Sequence, residues 1–332
     1  MSEQSGPLLT IRGLRTRFHT YEGVVNAVDG LDIEVFRGET LGLVGESGCG
    51  KSVTALSILR LLPCPPAEIQ GQILFDGTNL LDLDREGIRN IRGGDISMIF
   101  QEPMTSLNPV LTIGEQISET LRRHKDMTRR EAWRRCVEML QLVQIPGPKS
   151  RSREYPHKLS GGMRQRAMIA MALSCNPKLL LADEPTTALD VTIQAQIMTL
   201  MARLKEEFEA SIVLITHDLG IIAEMASRVV VMYAGKMVEE APVKELFKDP
   251  RHPYTQGLLG SIPVIGRKFD GGQRLQEIPG IVPNPLEMPL GCRFNPRCPR
   301  TMPICHQQEP PVVRLADHRR VSCWLEANKR DD

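Results

Sequence analysis

Residues 45–52 read GESGCGKS, and this octet decides the fold. It has the spacing G-x-x-x-x-G-K-[ST], and it stands after an apolar run, Glu39 to Val44, and before a helical stretch, Val53 to Leu62. That context suits phosphate. Gly45, Gly48 and Gly50 let backbone N–H groups face phosphate oxygens, and the helix N-terminus adds its positive dipole end. Lys51 reaches the outer phosphates, the Ser52 hydroxyl can bind Mg²⁺, and Glu46, Ser47 and Cys49 complete the loop. Taken alone, the octet implies only a bound nucleoside triphosphate.

Outward from the loop, short apolar runs alternate with longer helical stretches between Leu8 and about Glu240. Strand-like runs recur at Ile96 to Phe100, Leu179 to Ala182, Ile212 to Thr216 and Val229 to Tyr233. The pattern predicts an α/β domain with a parallel sheet whose strands are distant in sequence. From Glu102 to Pro156 helix formers take over, with Glu115 to His124 and Thr128 to Val143 at helical spacing and Thr128 followed by Glu131 as a capping box. This stretch, about 102–160, reads as a helical insertion, and its run Arg129 to Arg135 reads as a solvated helix face.

Composition narrows the function classes. With 41 basic and 40 acidic residues the net charge is +1, which leaves no electrostatic footprint for nucleic acid. Met1 to Thr10 lacks the apolar stretch of a secretory signal, and no run approaches the roughly 18 apolar residues of a membrane span. A soluble, cytosolic chain that does any membrane work through partners is expected.

Two further clusters bear on chemistry. LLLADE, Leu179 to Glu184, ends an apolar strand in two carboxylates: Asp183 can hold Mg²⁺, and Glu184 is the candidate for orienting and polarising the attacking water. LSGGMRQR, Leu159 to Arg166, opens a helix with Ser160 as N-cap and with Gly161 and Gly162 leaving amides bare, so it is a second anion-binding terminus. A chain with one triphosphate site has no obvious use for two.

At this point the residues resemble the ABC family, whose signature sequence is LSGGQ. Gln101 matches its Q-loop, Ala188-Leu189-Asp190 its D-loop and His217 its switch histidine. The resemblance implies a P-loop ATPase with a RecA-like core, an antiparallel β subdomain and a helical insertion. It also implies head-to-tail pairing of two ATPase domains, in which Ser160, Gly161, Gly162, Met163 and Asp190 serve the partner's nucleotide. Met163 stands where the signature has glutamine, with the amide donors retained. Glu184, His217 and Gln101 are the implied catalytic set, and an aromatic upstream of the loop, Tyr21 or Phe18, is the implied adenine platform.

Local phrases narrow the branch. FQEPMTSLNPV (Phe100 to Val110), YPHKLSGGM (Tyr155 to Met163), DEPTTALDVTIQAQI (Asp183 to Ile197) and RHPYTQGLL (Arg251 to Leu259) are similar to the oligopeptide and dipeptide importer ATPases, most of all their D-type subunits. The resemblance implies ATP-driven peptide uptake at the cytoplasmic face of the inner membrane. The implied partners are a paralogous second ATPase, two permease subunits and an extracytoplasmic binding protein. Related importers of nickel, glutathione or opines would look alike. Chromosome-maintenance ATPases share these motifs but part them by long coiled coils, whereas here residues 53–182 alone separate Ser52 from Asp183.

Beyond Glu240, 13 of the 24 prolines fall in the last 92 residues, so residues 241–332 read as a separate irregular module without a core of its own. Cys292, Cys298, Cys305 and Cys323 crowd this tail at spacings C-x5-C-x6-C-x17-C, for which an iron-sulfur cluster, zinc and unligated buried thiols all remain open. The resemblance implies a [4Fe-4S] cluster, distant from the phosphates.

Overall fold

The computed structural model describes residues 6–187, 189–261, 277–316 and 318–330. Ala188 of the expected D-loop and the first five residues of the N-terminal stretch lie outside them. The strands are β1 (Leu9–Thr20), β2 (Gly23–Val35), β3 (Thr40–Val44), β4 (Ala67–Phe75), β5 (Thr78–Asn79), β6 (Ile96–Ile99), β7 (Leu179–Asp183), β8 (Ser211–Ile215), β9 (Arg228–Tyr233), β10 (Lys236–Pro242), β11 (Val312–Ala316) and β12 (Arg319–Ser322). The chain forms two compact units of interleaved segments: Met1–Leu9, Val35–Thr40 and Leu74–Ile215 in one, and Thr10–Glu34, Leu41–Ile73 and Thr216–Asp332 in the other.

In the first unit β8, β7 and β6 lie side by side and parallel, with Ile96 opposite Leu179 and Asp183 opposite Ile215. Every residue of these three strands is buried, which explains why they read as unbroken apolar runs rather than as alternation. The helices Ile113–His124 and Arg129–Leu142 pack together, burying Ile113, Ile117 and Leu121 on one and Ala132, Cys136, Met139 and Leu140 on the other. The Thr128–Glu131 capping box is present. A second box, Thr112 with Glu115, starts the preceding helix at Ile113, two residues before its predicted beginning. Arg129, Arg130 and Arg134 lie in solvent, and Arg135 pairs with Glu138 at 3.2 Å.

The second unit orders its main strands β11-β12-β10-β9-β3. β3 and β9 are parallel, with Leu41 opposite Arg228 and Val44 opposite Val231. β9, β10, β12 and β11 then continue antiparallel, so the parallel sheet read from the sequence is extended by antiparallel strands. The expected separate, irregular Cys/Pro-rich module is not supported. Glu239 and Glu240 of β10 pair with Val321 and Arg320 of β12, and the expected boundary after Glu240 falls inside β10. The physical reason is charge as well as backbone: buried Glu240 binds Arg228 of β9 and Arg320 of β12, so the tail strand shares one ion-pair network with the sheet. A small cluster of Val313, Val321 and Cys323 supplies local burial.

Candidate active site

The phosphate loop is shaped by what its glycines leave out. A Cβ on Gly45 (φ +153°) would stand 2.2 Å from the Met232 carbonyl oxygen, and one on Gly50 (φ +101°) would stand 2.4 Å from that of Ala27. Gly48 (φ +79°) has open space around it and needs only the conformation. Gly50 caps the helix Lys51–Ile58 with no side-chain hydrogen bond, so no capping side chain covers this N-terminus. Lys51 is 6% exposed and its Nζ donates to the carbonyls of Gly45 at 2.7 Å and Glu46 at 3.0 Å. Its ammonium is thus held over the loop that would cradle the phosphates. Burial pushes the Cys49 thiol up despite the nearby Lys51 ammonium, which suits a packing role.

The loop has a second set of supports that sequence reasoning missed. Arg297 of the tail donates from Nη1 to Glu46 Oε2 at 2.6 Å and from Nη2 to Glu46 Oε1 at 3.0 Å. The Tyr254 hydroxyl accepts from the Glu46 N–H at 2.9 Å. The expectation that the tail stands apart from the phosphate loop is therefore corrected. The available signal was Glu46 itself, a carboxylate inside a loop built for anions, which requires a cation nearby.

In the first unit, Asp183 ends β7 at 4% exposure and Glu184 follows it. Glu184 takes a left-handed φ of +45°, costly for a residue with a side chain, while its N–H donates to the Ile215 carbonyl at 2.8 Å. Its Oε2 accepts from Gln101 Nε2 at 3.0 Å and from Thr187 Oγ1 at 2.7 Å. Gln101, Glu184 and Thr187 thus form one small hydrogen-bonded network.

The helix Gly161–Leu173 opens on Ser160, whose Oγ accepts from the Met163 N–H at 3.4 Å, while Gly161 and Gly162 form its first turn. Gln165 of the same helix donates to the Pro185 carbonyl at 2.6 Å, tying the helix to the turn after Glu184. Asp190 caps the helix Val191–Phe208 by accepting from the Ile193 N–H at 3.0 Å. In the second unit His217 is exposed, just after a buried Thr216 that accepts from the Asp218 N–H. Tyr21 lies wholly in solvent at the turn after β1, whereas Phe18 is half-buried on β1.

The four tail cysteines require a correction. Burial raises the thiols of Cys292 and Cys323 to about 11 and raises that of Cys298, and the neighbouring thiols add to each shift. They are thus within electrostatic range of one another. Even so, among the described residues no group of three or more His, Cys, Asp or Glu is arranged to hold a metal ion. The expected [4Fe-4S] site, and the zinc alternative, are therefore not supported. Cys323 joins the apolar cluster of Val313 and Val321, and Cys305 is buried, its backbone carbonyl accepting from the Cys292 N–H at 2.8 Å. No helix among the described residues is long and apolar enough to cross a membrane.

Comparison with known proteins agrees with this architecture. Residues 28–187 match the family described as ABC transporter, and residues 238–305 match the oligopeptide/dipeptide transporter C-terminal region. The oligopeptide transport ATP-binding protein AppD of Bacillus subtilis (strain 168) is 53% identical over 319 residues, covering 96% of each chain. The dipeptide transport ATP-binding protein DppD of the same organism is 49% identical, covering 98% of this chain and 96% of its own. Among solved structures, the dimeric post-hydrolysis state of the ATP-binding cassette MJ0796 bound to ADP and Pi is 28% identical. It aligns with a TM-score of 0.64 over 71% of this chain and 98% of that one. This chain belongs to the ABC transporter family, in the branch of ATP-binding subunits that carry the oligopeptide/dipeptide transporter C-terminal region.

Proposed function

We propose that this chain is the ATP-hydrolysing subunit of an importer of dipeptides or oligopeptides, working as one of a pair of ATPase subunits. The observations that support the reading are a phosphate loop shaped by three left-handed glycines and, in the same chain, a strand-end glutamate bridged by Gln101 and Thr187. Loop amides and Lys51 bind the phosphates of ATP. Ser52 and Asp183, with Gln101, would hold Mg²⁺, which neutralises charge on the β- and γ-phosphate oxygens when bound. Glu184 orients and polarises the attacking water, and His217 contacts the γ-phosphate end. Tyr21, its ring in solvent, stacks on adenine in preference to half-buried Phe18.

The signature helix serves a nucleotide held by the other ATPase subunit, through Ser160, Gly161, Gly162 and Met163, with Asp190 nearby. That use explains the second anion site, and the dimeric cassette with ADP and Pi supports it as a likeness. A paralogue is the partner we favour. The helical stretch 102–160 docks on two permease subunits, and an extracytoplasmic binding protein delivers peptide to them, with this chain peripheral on the cytoplasmic face of the inner membrane. Nothing in this reading is routed through the tail cysteines.

Glu184→Gln tests it. In the assembled transporter the variant should lose at least ~100-fold in phosphate release, the scale of a lost general base, while still binding ATP. ATP turnover near the wild-type rate would refute the role given to Glu184.

A further inference from the structure

We propose that Arg297 is a positioning residue for nucleotide binding: it neutralises the Glu46 carboxylate and turns it toward the tail, so that the tail sets the affinity of the loop for ATP. The inference rests on reading Gly45–Ser52 as the ATP seat. A carboxylate two residues into such a loop is an electrostatic liability, because the triphosphate brings several negative charges to the same amides.

The structure holds that liability in a built receptor. Both oxygens of Glu46 are taken by the two Nη atoms of Arg297, the two-pronged geometry in which guanidinium binds carboxylate best. Arg297 is itself fixed on every side. Its side chain is 4% exposed, Nε donates to the Pro279 carbonyl at 3.0 Å, and Nη2 also donates to that of Ile278 at 3.3 Å. Nη1 reaches the Tyr233 hydroxyl at 3.4 Å, and the guanidinium lies 5.8 Å from the Tyr233 ring centroid. A guanidinium so fully engaged cannot follow Glu46 if the loop moves, so it holds the carboxylate in one place. The main chain is gripped as well, since the Tyr254 hydroxyl accepts from the Glu46 N–H at 2.9 Å. Tyr254, Tyr233 and Phe294 pack on one another with centroids 4.7 to 5.4 Å apart, which makes the receptor rigid.

The consequence is that Arg297 acts through charge, which a purely structural residue would not. Arg297→Gln in the full-length chain should weaken binding of a trinitrophenyl-labelled ATP by about tenfold, the scale of one uncompensated charge near the phosphates. Adding Glu46→Gln to that variant should recover most of the loss, because the repelling charge is gone although the tail contact is not restored. Unchanged affinity in Arg297→Gln overturns the proposal, as does a loss that Glu46→Gln fails to recover. If Arg297→Gln does not fold, Arg297→Lys keeps the charge without the fork and should weaken binding by no more than about threefold; a loss of about tenfold or more despite the retained charge would then overturn the proposal. Failure of the wild-type chain itself to bind the probe would instead sink the reading of the loop.

Discussion

Two loops of the second unit, Gly45–Ser52 and Gly291–Cys298, meet at the Glu46–Arg297 pair and are shaped in different ways. The phosphate loop owes its path to backbone: three left-handed glycines, two of them pressed against carbonyl oxygens of neighbouring strands. The tail loop has one such glycine, Gly291, whose Cβ would stand 2.4 Å from the Cys305 carbonyl oxygen. Its remaining shape comes from side chains. Phe294 fills the aromatic cluster, Asn295 Nδ2 donates to the Leu290 and Cys305 carbonyls at 2.9 and 3.2 Å, and Arg293 binds Asp29 and the Ala234 carbonyl. A loop that must offer its amides to a ligand keeps side chains out of the way. One that only braces its neighbour can spend side chains freely.

This contrast breaks first at Gly50. Gly50→Ala must displace either the helix N-terminus or the Ala27 carbonyl, since 2.4 Å leaves no room for a methyl group. Nucleotide binding and ATP hydrolysis should both fall below detection in an assay of the assembled transporter. Wild-type turnover in this variant would mean that the loop is not held where the structure has it.

The tail should answer differently, with a loss of stability rather than of chemistry. Phe294 is 2% exposed and touches Tyr233, Tyr254 and His252 with centroids 5.1, 5.4 and 5.7 Å away. Phe294→Ala should cost about 3–5 kcal/mol in denaturant unfolding, the range for emptying a buried aromatic site. A cost under about 1 kcal/mol would show that the cluster does not brace the loop.

The two loops were also unequally legible in sequence. GESGCGKS, LLLADE and the Ser160 cap could be read because each places its chemistry within a few consecutive residues, where strand, turn and helix preferences act together. The buried strands of the first unit were legible for the same reason, an unbroken apolar run. Arg297 was not, because its partner lies 251 residues away and the intervening tail is rich in proline and has no periodicity to follow. The four cysteines carry the visible spacing of this tail, while Arg297, between the first and second of them, makes the contact with the loop. The strand pair β10–β12 was hidden likewise, since strands held together by Glu240, Arg228 and Arg320 do not look apolar.

A third test asks how the brace responds to acid. His252 is 2% exposed, burial pushes it down to about 3, and its Nδ1 accepts from the Tyr254 N–H at 3.0 Å in capping the helix Pro253–Gly260. Unfolded, it would titrate near 6.5. Below that pH the unfolded chain takes a proton that the folded chain refuses, so stability falls as pH drops from 6.5 toward 3. Buried Glu239, raised by burial, works in the opposite sense and is unchanged by the variant. His252→Asn keeps a side-chain acceptor for the cap but does not titrate. The stability difference between the two proteins should shift by up to about 3 kcal/mol in favour of Asn between pH 6.5 and 4. Parallel curves would remove His252 from the acid response.

The smallest expected effect returns to the phosphate loop and separates its two kinds of glycine. Gly48 has a φ of +79° like its neighbours, but an ideal Cβ there meets nothing within 4 Å. Gly48→Ala therefore meets only the local penalty of a left-handed residue with a side chain, about 1–2 kcal/mol. No carbonyl has to move, and the new methyl points into open space rather than into β9 or β2. Its unfolding free energy should drop by about 1 kcal/mol, and ATP affinity should weaken by less than about tenfold, which is the same free energy expressed as binding. Measured beside Gly50→Ala, the pair isolates space from conformation: both need positive φ, and only one is crowded. If Gly48→Ala abolishes binding as completely as Gly50→Ala, conformation alone governs the loop, and the close approach of the Ala27 carbonyl is incidental to its shape.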